Sequence, residues 1–304
     1  MTSSALMNIS DPVPAITEAA ATGEIAAIFA DIRRVLGVDV VNLIWRYLAT
    51  IPGTLPWAWG TLRPLYADGT IGAEAAALRG DLALPRLPPF PAETFAAAGL
   101  DDDISTIRDI LSAYDRTNAM GLVALSALLG RLGDAPPALD AASSPHTDVA
   151  HEFPPSIPLP PLPSVAELSP PIAELVLILN RLGTRHDNPI LASMYRHLAY
   201  WPAYLALAWT LIAPLNADGS LDRLIANAAK KAQERSAHLM TRLCPVSAGP
   251  IDPGLSAAIR SAIDPFTSDV IAKMVVICAV LHTATSGLAS KCDEAAMCER
   301  VILG

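Results

Sequence analysis

Apolar residues recur along this chain at helical rather than strand spacing. In Glu24 to Ile32, the side chains of Ile25, Ile28, Phe29 and Ile32 share one helix face. Leu175, Ile178, Leu179 and Leu182 repeat that pattern after Glu174, in a segment that ends near Gly183. A second helix is predicted from about Val40 to Thr50 and again from about Pro189 to Tyr200. Each stops before a proline, Pro52 or Pro202, that has no N–H with which to continue it. A third covers roughly Leu55 to Tyr66 and Ala203 to Asn216, closed by Asp68-Gly69 and Asp218-Gly219 turns. A fourth runs near Ile71 to Leu82 and Leu221 to Leu243, and apolar helices follow at Ala119 to Leu132 and Val270 to Thr283.

These two series are one sequence written twice. Arg46 to Gly69 and Arg196 to Gly219 align at a constant offset of 150 with twelve identical positions, among them Arg46/Arg196, Trp59/Trp209, Pro64/Pro214 and Asp68/Asp218. Two copies of one helical unit can pack about a pseudo-twofold axis, and such a seam is where a pocket forms. The fold expected is therefore all-α, a pseudo-dimer of two tandem helical repeats with a buried site between the halves. Its parts are an N-terminal arm (1–20), a first repeat (21–132), a proline-rich linker (133–171) and a second repeat (172–304). The linker, with Phe153-Pro154-Pro155 and Pro158 to Pro163, reads as a stiff, extended tether rather than as a ligand for an SH3-type domain.

Composition narrows the function. Over 304 residues, 52% hydrophobic, 5% aromatic and 17% charged residues suit Ala/Leu-rich helices better than a β-sandwich. A net charge of −9, with no basic cluster beyond Lys230-Lys231, argues against a nucleic-acid partner. The N-terminus lacks a basic segment followed by an apolar run, and the longest uncharged run, Leu198 to Ala217, is broken by Pro202 and Pro214, so it reads as a buried helix and not a membrane span. Four cysteines without a Cys-x-x-Cys fit reduced thiols in a cytoplasmic protein. No Gly-rich phosphate loop, His-Glu-x-x-His, Gly-x-Ser-x-Gly or EF-hand pattern is present, so no cofactor is expected and the partner expected is a small-molecule substrate, with a homodimer left open. His186, Asp187 and His197 could form a metal set only across the helix start at Pro189, and no metal is expected.

The informative polar residues are those where the copies differ. Tyr114-Asp115-Arg116-Thr117-Asn118 precedes an apolar helix, where Asn118 serves either as an N-cap or as a ligand to a water. Ser193-Met194-Tyr195-Arg196-His197 places several polar groups on two helical turns. Arg46 and Arg196, present in both copies, suit a structural role at the ends of neighbouring helices.

Four segments taken in order carry a resemblance. They are Gly23 to Arg33, Leu48 to Trp59, Ala97 to Ile104 and Ala192 to Pro202, and together they resemble the group I 2-haloacid dehalogenases, the DehI family, over roughly residues 20 to 285. The resemblance implies an all-α pseudo-dimer that uses no cofactor. It also implies direct displacement, in which an aspartate and an asparagine hold a water that attacks the halogen-bearing carbon of a 2-halocarboxylate with inversion. The family asparagine falls on Asn118. The family aspartate's frame reads Ser193-Met194-Tyr195 here, so Met194 stands where the base is expected, and a thioether takes no proton from water at neutral pH.

Three readings then remain open. Asp187 or Asp115 supplies the carboxylate; or the nucleophile lies within the substrate, as in a cyclisation or elimination, with Tyr195 and His197 as acid/base or orienting groups; or a small acid is bound without chemistry. Ser193 is the expected substrate contact, with Val40, Leu43 and Met194 as pocket walls. A helical AhpD-like peroxidase is disfavoured because its Cys-x-x-Cys is missing.

Overall fold

The computed structural model describes residues 13–133, 159–184, 189–243 and 251–286, and among them every regular element is helical. The first copy runs α1 (Gly23–Leu36), α2 (Leu43–Leu48), α3 (Thr54–Ala67), α4 (Thr70–Gly80), α5 (Ala92–Ala97) and α6 (Ile104–Arg131). The second runs α7 (Pro170–Arg181), α8 (Ser193–Leu198), α9 (Pro202–Ala217), α10 (Ser220–Ser236), α11 (Leu239–Arg242), α12 (Pro253–Pro265) and α13 (Ile271–Ser286). A π-helical turn, Phe266–Val270, joins the last two. The offset of 150 recurs in the helix boundaries: α2 and α8 begin and end at equivalent positions, and α3 and α9 end at equivalent positions.

The Asp-Gly pairs explain why those helices stop where they do. Gly69 and Gly219 adopt left-handed φ of +78° and +71°, which L side chains rarely tolerate. The preceding aspartates close the turn: Asp68 Oδ1 accepts from the Thr70 N–H at 2.9 Å, and Asp218 Oδ1 from the Ser220 N–H at 2.8 Å. Pro64 and Pro214 sit at the start of the last turns of α3 and α9, where each leaves the carbonyl four residues back, of Gly60 and Thr210, without its helical donor.

At the centre α6 packs along α13, the most extensive helix pair among the described residues. α13 is buried nearly all round, as a helix apolar on every face must be. The apolar stretch Pro253–Ser286 is long enough to cross a membrane, yet its most apolar window is 78% buried inside the fold, which is the mark of a core helix. Charge pairs tie the copies at their rim: Arg235 on α10 reaches Glu74 at 3.2 Å and also pairs with Asp81, both from the first copy.

Several expectations are revised. The second helix of each copy is shorter than predicted, because the residues on either side of α2 and α8 form irregular backbone. The last helix of the first copy begins at Ile104 and not near Ala119, so Asn118 lies in mid-helix and is no N-cap. Arg196 donates from Nε to the Pro163 carbonyl at 2.7 Å, holding the backbone ahead of α7. Two helix ends are capped from α6, where Arg116 donates to the Leu36 and Gly37 carbonyls (2.6 and 2.8 Å) and Arg108 to Thr285 (3.1 Å). The described end of the linker is held on both sides, by Asp39 Oδ2 accepting from the Leu159 N–H (3.2 Å) and by Tyr200 donating to the Pro161 carbonyl (2.8 Å).

Replacing Gly219 by Ala is expected to destabilise the protein by about 1–2 kcal/mol through the left-handed backbone alone, since the nearest atom to the new methyl, Arg223 Nη1, lies 3.7 Å away. Urea unfolding at pH 7 measures it.

Candidate active site

A cavity of about 50 Å³ open to water-sized occupants lies between α2, α3, α6, the start of α8 and the π turn. That is room for roughly four water-sized groups. Its walls are mostly apolar: Leu43, Trp45, Leu191, Met194, Phe266 and Met274 contribute, and Tyr66, Tyr114, Asn118 and Ser193 add polar atoms. Within the repeat matched at Arg46/Arg196 and the residues just before it, wall positions recur at the offset of 150 as Asn42 with Ala192, Leu43 with Ser193, and Ile44 with Met194.

Asn118 reaches the cavity from the middle of α6. Its Nδ2 donates to the Tyr114 carbonyl at 2.8 Å and approaches Cys278 Sγ at 3.6 Å. A carbonyl acceptor demands the amide nitrogen at that position, which leaves Oδ1 for an occupant. Met194 is fixed from behind, where the Cys278 thiol lies 3.4 Å from its sulfur. Burial pushes that thiol's pKa well up, with Asp115 adding to the effect, so Cys278 stays protonated.

Among the candidate residues, the structure brings Leu43, Asn118, Ser193 and Met194 onto one cavity. Val40, just before α2, is half-buried and does not line it. Tyr195 is fully buried next to the lining, with a hydroxyl that takes no hydrogen bond. His197 lies behind the wall, its Nδ1 2.8 Å from the hydroxyl of Tyr114, and so touches the cavity only through that phenol. Asp115 is buried and turned toward α4, where its Oδ2 accepts from Arg79 at 2.8 Å. Asp187 and His186 fall outside the described residues, and among the described ones no group of three His, Cys, Asp or Glu could hold a metal.

Among the described residues no Asp, Glu, Lys, Arg or His lines the cavity. Burial drives the Tyr66 and Tyr114 hydroxyls upward in pKa, which keeps both as donors. His197 is held down to about 4, first by burial and then by Arg196 and Arg46, against the Pro160 carbonyl, so it is uncharged at neutral pH.

Sequence reasoning missed two residues. Tyr66 lines the cavity, and the signal was present in the repeat, since its partner at the offset of 150 is Asn216. Lys273 is wholly buried on α13, its ammonium pushed down to about 8 by burial. Its Nζ donates to the Asn180 carbonyl at 2.7 Å, while the Asn180 side chain binds the Ile190 carbonyl (3.2 Å) and the Ala192 N–H (3.1 Å). This relay holds the strip that presents Ser193 and Met194. A lone lysine in an apolar helix was its only trace in the sequence.

The all-helical fold is shared with solved D-2-haloacid dehalogenases. One described as a D-2-halacid dehalogenase mutant aligns with a TM-score of 0.70 at 18% identity, over 91% of this chain and 97% of that one. A complex of D-2-haloacid dehalogenase with L-LA aligns with a TM-score of 0.68 at 17% identity, covering 91% and 97%. At such identities the likeness is one of fold. In sequence, the chain is 31% identical over 205 residues to a configuration-inverting 2-haloacid dehalogenase from Alcaligenes xylosoxydans xylosoxydans, covering 64% of this chain and 66% of that protein. The aligned part thus spans just under two thirds of the relative's length. No protein-family model matches the chain.

His197 sets a pH dependence of stability. Below pH 6.5 the unfolded chain takes up a proton on this imidazole that the folded chain refuses until about pH 4, so stability falls as pH drops through that window. Unfolding titrations between pH 7 and 4.5 should show His197→Gln losing less, by about 1 kcal/mol per pH unit, than the native chain.

Proposed function

We propose that the two sequence copies, 21–132 and 172–304, pair about a pseudo-twofold axis with 133–171 as their tether, and that the cavity is the site of a haloacid-dehalogenase-type enzyme. Its substrate is a small carboxylic acid with a leaving group beside the carboxyl. The observation that carries this reading is the meeting of Asn118, from one copy, with Ser193 and Met194, from the other, on one small apolar cavity. The sequence match to a configuration-inverting 2-haloacid dehalogenase supports the same class.

The chemistry follows from what each residue can do. Asn118 Oδ1 accepts from a water or substrate hydroxyl and fixes its direction of attack. Ser193, whose Oγ is buried without a partner, donates to the substrate. Leu43, Trp45 and Met194 keep bulk water away from the reacting carbon. Tyr114 is oriented by His197 from behind and is a positioning group for the same space.

A second reading is favoured by one feature: no carboxylate or imidazole lines the cavity among the described residues. With Met194 where the family aspartate is expected, no described wall residue takes a proton from water. The nucleophile then belongs to the substrate itself, as in an internal displacement that closes a ring, or the acid is held without turnover.

Halide release from both enantiomers of 2-chloropropionate, run with the native chain and with Met194→Asp, separates these. The expected outcome is slow or no release by the native chain and a gain of roughly 10²-fold in the variant, in line with an added general base. A rise in melting temperature with 2-chloropropionate but no release by either protein supports the second reading. Neither release nor a melting shift overturns both.

A further inference from the structure

We infer that Tyr66 is a substrate-recognition residue, and that its hydroxyl and that of Ser193 hold the substrate's carboxylate in the cavity. The inference rests on the functional reading above and adds the residue and the mode of recognition.

Tyr66 is 1% exposed, lines the cavity and has a hydroxyl that takes no protein hydrogen bond. Leaving a buried hydroxyl unsatisfied is unfavourable, and native folds rarely do so without a reason. The Oγ of Ser193, another lining residue, is in the same condition. Two unsatisfied donors on residues that line one apolar cavity are matched by an occupant with two acceptor oxygens and a small apolar body.

The phenol is also firmly placed. Its ring lies 5.5 Å from that of Trp59, tilted, and 6.5 Å edge-on from that of Trp45, so the packing leaves the hydroxyl little freedom. The repeat shows that this residue is not required by the helix it sits on. At the equivalent position in α9, Asn216 Oδ1 accepts from the Gly183 N–H at 2.8 Å and closes the turn after α7. One copy uses the position for a structural bond, and the other turns it to the cavity.

No cation lines the cavity among the described residues, so a carboxylate there is held by hydroxyl donors. Hydrogen bonds to an ionised acceptor are roughly twice as strong as neutral ones, which lets two hydroxyls discriminate an acid from its amide.

The test titrates 2-chloropropionate and 2-chloropropionamide into the full native chain, Tyr66→Phe and Ser193→Ala by calorimetry, with melting curves of each protein alone. Expected are acid binding by the native chain, a loss of about tenfold or more in acid affinity in each variant, amide binding unchanged, and a Tyr66→Phe melting temperature at or above the native value. Acid binding by Tyr66→Phe within about twofold of native, or a variant that melts lower because the hydroxyl supports the fold, overturns the role of Tyr66 while leaving the functional reading in place. A native chain that binds no acid removes both.

Discussion

The apolar contact between α6 and α13 holds the centre of this molecule together. Each helix contributes wall to the cavity, Asn118 and Tyr114 from α6 and Met274 from α13, and each braces other parts of the fold. α6 caps two helices through Arg108 and Arg116, and α13 supports the strip before α8 through Lys273 and Asn180. Separating the pair by even a small amount would remove the cavity and several helix caps together, because close-packed interiors transmit displacement rather than absorb it.

Much of the fold was legible in the sequence, for a physical reason. Helical periodicity, proline stops and Asp-Gly turns are local signals, and the repeat printed each of them twice, so α3, α9 and their closing turns fell where expected. What local signals cannot carry is continuity: nothing in Tyr114 to Asn118 showed that α6 runs unbroken from Ile104, and a polar cluster ahead of an apolar run reads naturally as a cap. The site was half legible. Leu43, Asn118, Ser193 and Met194, all named from the sequence, line one cavity, and Val40 does not. The setting of Tyr195, His197 and Asp115 behind the wall, and the presence of Tyr66 on it, depend on side-chain directions that only packing decides.

The electrostatics of the cavity set it apart from a site built around an ionised base. Among the described residues, hydroxyls with raised pKa, amides and the sulfurs of Met194 and Met274 leave its wall polar in places but uncharged. Two buried charges near it are engaged elsewhere, Asp115 by Arg79 and Lys273 by a backbone carbonyl. A low-dielectric space of this kind strengthens whatever hydrogen bonds an anionic guest makes, since little solvent competes for them.

One consequence follows from having equivalent wall positions on a single polypeptide. In an association of identical subunits every amino-acid change is imposed on both faces at once, so a groove on the axis keeps its mirror roles. Here the pairs Leu43/Ser193 and Ile44/Met194, equivalent in sequence, differ in chemistry, so equivalent positions are free to specialise separately. Both sets belong to one chain, so such specialisation carries no penalty in assembly.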